Sequence, residues 1–102
     1  MGLKVRWAES ALAGLEQVLA FIAEDNPEAA RRLWKEAKAA TRGLRRYPMR
    51  GRMVPEYQEP TIREVLVGPM RIIYTTADPA VVHILAAIRA ERQLPGSDLD
   101  VD

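Results

Sequence analysis

Apolar and polar positions alternate at the start of the chain, where Leu3, Val5 and Trp7 are separated by Lys4 and Arg6. A period of two places one set of side chains on each face of an extended segment, so residues 2–7 are predicted as a half-buried strand. From Ser10 the spacing lengthens. Ala11, Leu12, Leu15, Val18, Leu19 and Ile22 recur every three or four positions, which predicts an amphipathic helix of about four turns ending near Glu24. Asp25-Asn26-Pro27-Glu28 follows. Asn is a good N-cap because its side-chain oxygen accepts from an unpaired first-turn amide. Pro suits the first helical position, and Glu favours the positive end of the helix dipole. A second helix is therefore predicted from Pro27 to about Arg46, closing a helical hairpin. Its buried face is marked by Ala30, Leu33, Trp34, Ala37, Thr41 and Leu44, and Pro48 ends it. Trp7 and Trp34 are expected to anchor the core.

Beyond a Pro-rich connection over residues 48–60, the pattern turns to strands. Ile62–Val67 is a β-prone run, Gly68-Pro69 signals a turn, and residues 70–76 are rich in β-branched and aromatic types. Asp78-Pro79 marks another turn, and residues 81–88 are mostly apolar, as suits a central strand. Consecutive strands with short connections imply an antiparallel meander. The expected fold is α+β in the order β-α-α-β-β-β, with the helical hairpin packed on one face of a four-stranded, mainly antiparallel sheet. One domain is expected over residues 1–95, with an acidic, flexible tail over residues 96–102.

Charge changes the picture more than composition does. The chain has 102 residues and a formal net charge of +1. Yet Arg31, Arg32, Lys35, Lys38, Arg42, Arg45, Arg46, Arg50, Arg52 and Arg63 are opposed over that stretch only by Glu36, Glu56 and Glu59. Such a basic region attracts an acidic or phosphate-bearing partner. Within it Arg31, Lys35, Lys38, Arg42 and Arg45 fall on one helical stripe. Charged stripes are commonly just the solvated face of a helix, but one sign dominates here, at a cost in repulsion that a partner would relieve. There is no cysteine and a single histidine, His83, which leaves no thiolate chemistry and no His-rich metal site. No cofactor is expected. The N-terminal residues lack the apolar run of a signal peptide, and no stretch of ~18 apolar residues exists to cross a membrane, so the cytoplasm is the expected compartment.

Several phrases together resemble a known family. They are Val5-Arg6-Trp7-Ala8-Glu9-Ser10-Ala11-Leu12 with Leu15, and Ile22-Ala23-Glu24-Asp25-Asn26-Pro27-Glu28-Ala29-Ala30. Pro48, Gly51-Arg52 and Val54-Pro55-Glu56 follow, then Arg63-Glu64, Arg71-Ile72-Ile73-Tyr74, and finally Arg89, Arg92, Gln93 and Pro95. In this order and spacing, over roughly residues 3–95, the chain resembles the ParE/RelE toxin superfamily of type II toxin–antitoxin systems, and the ParE-type toxins within it. The resemblance implies a toxin neutralised by a cognate antitoxin, alone or in a hetero-oligomer, with plasmid stabilisation as a typical role. ParE-type members typically poison DNA gyrase; RelE-type members cut messenger RNA on the ribosome. A third reading is a non-toxic relative that only binds an antitoxin or associates with DNA.

Read for nuclease chemistry, the resemblance points to Arg63, Arg71, Arg89 and Arg92. Arg71 matches the family's strand arginine. The paired lysines of RelE-type toxins are absent from Ile62-Arg63-Glu64-Val65-Leu66, no tyrosine follows Arg92, and Arg89 stands where many relatives have His. An arginine stays charged and is a poor proton shuttle, so a general acid or base is lacking. His83, within an apolar strand, reads as a packed or surface residue. Arg71 interrupts another apolar strand, where a lone charge is expensive to bury; it either pairs with a carboxylate such as Glu64 or reaches a ligand. The candidate target- or partner-binding set is Arg31, Lys35, Lys38, Arg42, Arg45, Arg52, Tyr57, Arg89 and Arg92, with Tyr57 expected exposed in its loop. An apolar groove beside the helical hairpin and an open sheet edge are the expected docking places, the edge also inviting a homodimer.

Overall fold

The computed structural model describes residues 2–92 and Leu94. Its elements are β1 (Lys4–Trp7), α1 (Glu9–Asp25), α2 (Pro27–Gly43), β2 (Arg52–Met53), β3 (Ile62–Val67), β4 (Met70–Thr75) and β5 (Val81–Arg89). One residue separates the two helices and serves both. The Asn26 N–H donates to the Ile22 carbonyl at 2.9 Å, closing α1. Its side-chain oxygen accepts from the Ala29 N–H at 3.1 Å, opening α2. With Pro27 in the first turn, the chain can only reverse there. α2 stops at Gly43, short of Arg46, because the next amides fold back early: Leu44 N–H bonds to Thr41 and Arg45 N–H to Arg42, both at 3.1 Å. That tightened turn still buries Leu44 completely.

The sheet has five strands in the order β1-β5-β4-β3-β2. β3, β4 and β5 form the antiparallel meander read from the sequence. β1 lies parallel to β5, with Val5 opposite Val82 and Trp7 opposite Ile84. The additional strand is β2, two residues inside the Pro-rich connection that pair Arg52 with Glu64 and Met53 with Arg63. So short a strand carries no periodicity that a sequence could display. The acidic tail, residues 96–102, lies outside the described residues.

Both helices cover one face of the sheet. Ala11, Leu15 and Val18 from α1 and Leu33 and Ala37 from α2 pack on Val67, Met70, Ile72, Tyr74, Val82, Ile84 and Ala87. α1 comes very close to β5: a Cβ on Gly14 would lie 2.4 Å from the Ala87 carbonyl oxygen, so only glycine permits that approach. Trp7 is half-buried against this core. Trp34 corrects the expectation: it is 44 % exposed. The inward stripe of α2 runs Ala30, Leu33, Ala37 and Thr41, and a residue adjacent to Leu33 in sequence is rotated by about 100° away from it. On the opposite face of the sheet a smaller core gathers Val54, Ile62, Ile73 and Leu94, with Tyr57, Leu85, Ala86 and Ile88 against it. Tyr57 is therefore half-buried rather than exposed.

Candidate functional site

Beside the smaller core, Arg71 and Glu64 lie on the face of the sheet that the helices leave uncovered. Strand alternation dictates this. Met70 and Ile72 point to the helices, so Arg71 must point away, across from Leu66 on β3. The guanidinium is almost wholly buried and its donors are committed. Nε donates to Glu64 Oε1 at 2.7 Å. Nη1 and Nη2 grip the two oxygens of Glu56, each at 2.8 Å, and Nη1 also donates to the Arg92 carbonyl at 2.9 Å. Glu64 has no exposed side-chain surface, and its second oxygen accepts from Arg52 Nε at 2.6 Å. The bond from Arg71 holds the Glu56 carboxyl down at about 2, with the Leu94 amide bond acting the same way and partial burial opposing both. The paired carboxylates push the guanidinium further up from its ordinary value. A bidentate fork to one carboxylate and a shared second one suit arginine's planar donors. The network ties three remote pieces together: the loop at Glu56, strand β3, and the segment after β5, whose Leu94 N–H donates to Glu56 at 2.9 Å.

The loop before β2 is fixed by Tyr74. Its buried hydroxyl donates to the Pro48 carbonyl at 2.7 Å and accepts from the Gly51 N–H at 2.9 Å, and burial pushes its pKa up. Gly51 is required here because a Cβ would lie 2.5 Å from the Glu64 carbonyl oxygen and 2.6 Å from the Tyr74 hydroxyl. Arg63, half-buried, spends Nη1 on the Gly51 carbonyl at 2.8 Å and Nε on the Pro60 carbonyl at 3.0 Å. Arg63, on the helix-covered face opposite Tyr74, thus braces the backbone.

The remaining candidates lie elsewhere. Arg89 ends β5 on the helix side, its guanidinium 3.7 Å above the exposed Phe21 ring of α1. Arg89 and Arg92 border a groove of about 770 Å³ between α1 and β5, floored by Gly14, Val18, Leu85 and Ala87. On α2, Arg31 pairs with Glu28, Lys38 lies 4.6 Å over Trp34, and Lys35 and Arg42 are exposed. Arg45 is exposed too, though its Nε donates to the Leu3 carbonyl at 3.0 Å. His83 sits at the other end of β5 from Arg89, on the surface, 3.5 Å from Asp78. The Asp78 carboxyl is lowered first by the Ala80 amide and then by this histidine. The structure thus divides the sequence candidates into three places and does not assemble them into one cluster. Sequence reasoning missed Glu56, which holds Arg71 from a loop that nothing in the spacing connects to β4. Among the described residues no group of acidic or His side chains is placed to hold a metal ion, and no helix is long and apolar enough to cross a membrane.

Solved structures share this fold of a helical hairpin on one face of a sheet. The chain from the Pseudomonas aeruginosa ParDE system superposes with a TM-score of 0.71 at 18 % identity, covering 87 % of this chain and 97 % of that one. The RelBE2 complex from Mycobacterium tuberculosis gives 0.58 at 20 % identity, covering 87 % and 99 %. In sequence, toxin RelE2 of Caulobacter vibrioides is 37 % identical over 90 residues, 87 % of this chain and 97 % of that protein. Residues 5–95 match the family model for the ParE toxin of the type II toxin–antitoxin system parDE. The chain belongs to this ParE toxin family.

Proposed function

We propose that this toxin acts by binding: it docks on DNA gyrase and poisons it without chemistry of its own, and a cognate antitoxin neutralises it. The observation that carries the reading is the state of Arg71. The strand arginine that a nuclease would turn towards a scissile phosphate is buried, bonded to Glu64, Glu56 and the Arg92 carbonyl. The charge it would lend to a transition state is already neutralised by two carboxylates. The single histidine lies near the start of β5 beside Asp78, and among the described residues the partners of Arg71 are Glu64, Glu56 and the Arg92 carbonyl, none of them a proton-transfer group near neutral pH. For the antitoxin, the groove between α1 and β5 offers an apolar floor with Arg89 and Arg92 at its mouth, a form that suits an amphipathic segment.

Purified protein, added in excess to gyrase with relaxed plasmid, should stop supercoiling and leave cleaved DNA, and should leave messages on ribosomes intact. Untouched supercoiling together with cut ribosomal messages would instead establish the ribosome-dependent endonuclease. Inactivity in both assays would leave the non-toxic, antitoxin-binding relative.

A further inference from the structure

Strand β1 and the C-terminal half of α2 form the walls of a shallow groove that the proposed action does not use. Lys38, Arg42 and Arg45 border it from the end of α2, and Lys4 and Arg6 border it from the β1 edge, their side chains turned by strand alternation to the face opposite Val5 and Trp7; Trp7 and Thr41 lie between. An adjoining hollow adds Arg46. Among the described residues no carboxylate lines either hollow. Among the described residues none of these six cations takes part in an ion pair. The sequence displayed the α2 stripe; what the fold adds is the second row from β1. Like charges along one rim repel one another, and no carboxylate among the described residues pairs with them.

We propose that this groove binds the phosphate backbone of duplex DNA. Lys38 to Arg45 spans about 10 Å along the helix axis, and Lys4 to Arg6 about 7 Å along the strand. Each row is long enough to reach about two successive phosphates of one strand. An extended acidic peptide fits less well. At the start of the outer edge of β1 the Leu3 N–H already donates to the Arg45 carbonyl at 2.8 Å and the Leu3 carbonyl accepts from Arg45 Nε at 3.0 Å, which shortens the run of edge groups that an added strand could use. Recognition is left to charge. The Thr41 hydroxyl is spent on the Ala37 carbonyl at 2.9 Å, and the proposed contacts run from the cations to phosphates. The inference stands apart from the choice of gyrase as target.

The test is fluorescence anisotropy of the intact protein with a labelled duplex of roughly 20 base pairs, between about 50 and 200 mM salt. Lys38→Gln with Arg42→Gln should weaken binding about tenfold and reduce the salt slope by about 2. Lys4→Gln with Arg6→Gln on the other wall should do the same, which guards against a folding defect in the first pair. Arg32→Gln with Arg50→Gln removes the same charge from exposed positions outside the groove and should change binding little. Equal loss from all three pairs would overturn the proposal in favour of net charge alone. So would absence of duplex binding, or tight capture of a poly-glutamate peptide that duplex cannot displace.

Discussion

Two sets of cations divide this molecule. In the sheet, Arg71 and Arg52 on the face away from the helices, and Arg63 on the other face opposite Tyr74, are held by Glu64, Glu56 and backbone carbonyls. On the rim formed by β1 and α2, Lys4, Arg6, Lys38 and Arg42 stand exposed without acidic partners among the described residues. Chemically alike side chains therefore do unlike work. The first set is spent on stability, because a buried charge must be paired to be tolerated. The second contributes little to stability and keeps its field for other molecules. A count of arginines in the sequence merges the two; only the placement of carboxylates separates them.

The comparison breaks most visibly at Arg71. Arg71→Ala leaves Glu64 buried without its main partner and frees the Glu56 loop, so it should cost about 3–5 kcal/mol in urea unfolding; a loss below 1 kcal/mol would mean the network is ornamental. Acid should attack the same region. Glu56 titrates at about 2 in the fold against an ordinary 4.5, so its contribution is complete above about pH 4.5 and is lost as the pH falls towards 2. Circular dichroism should show the thermal midpoint falling through that window, and Glu56→Gln should start lower and fall less. Tyr74→Phe removes the hydroxyl that joins Pro48 and Gly51 and should cost about 1–3 kcal/mol, with faster amide exchange at Gly51. At the small end, Lys38→Gln with Arg42→Gln should shift stability by no more than about 0.5 kcal/mol. A larger loss would place these side chains with the pinned set.

Much of the fold was legible because local rules agreed with the tertiary structure. The period-two opening gave β1, the Asn26-Pro27 pair gave the break between helices, and Gly68-Pro69 separated β3 from β4. What was illegible depended on contacts between distant segments. Trp34 sits one position past the inward stripe of α2, and periodicity cannot fix the edge of a stripe that closely. Glu64 was visible as a partner for Arg71 because both lie on neighbouring strands. Glu56 was not, since it lies in the loop between β2 and β3 and reaches Arg71 from outside any strand. The candidate residues were found as a list of cations, and their division into braces and free charges waited on coordinates.

The parallel pairing of β1 with β5 has a consequence for synthesis. The strand made first finds its ladder partner only in the strand made last, residues 81–89, and β5 is also what joins β1 to the rest of the sheet. During translation the helical hairpin can form early, but it has no finished surface to rest on until β5 leaves the ribosome. The five-stranded sheet therefore cannot close until residues 81–89 have been made, and before then the surface that both helices cover is incomplete.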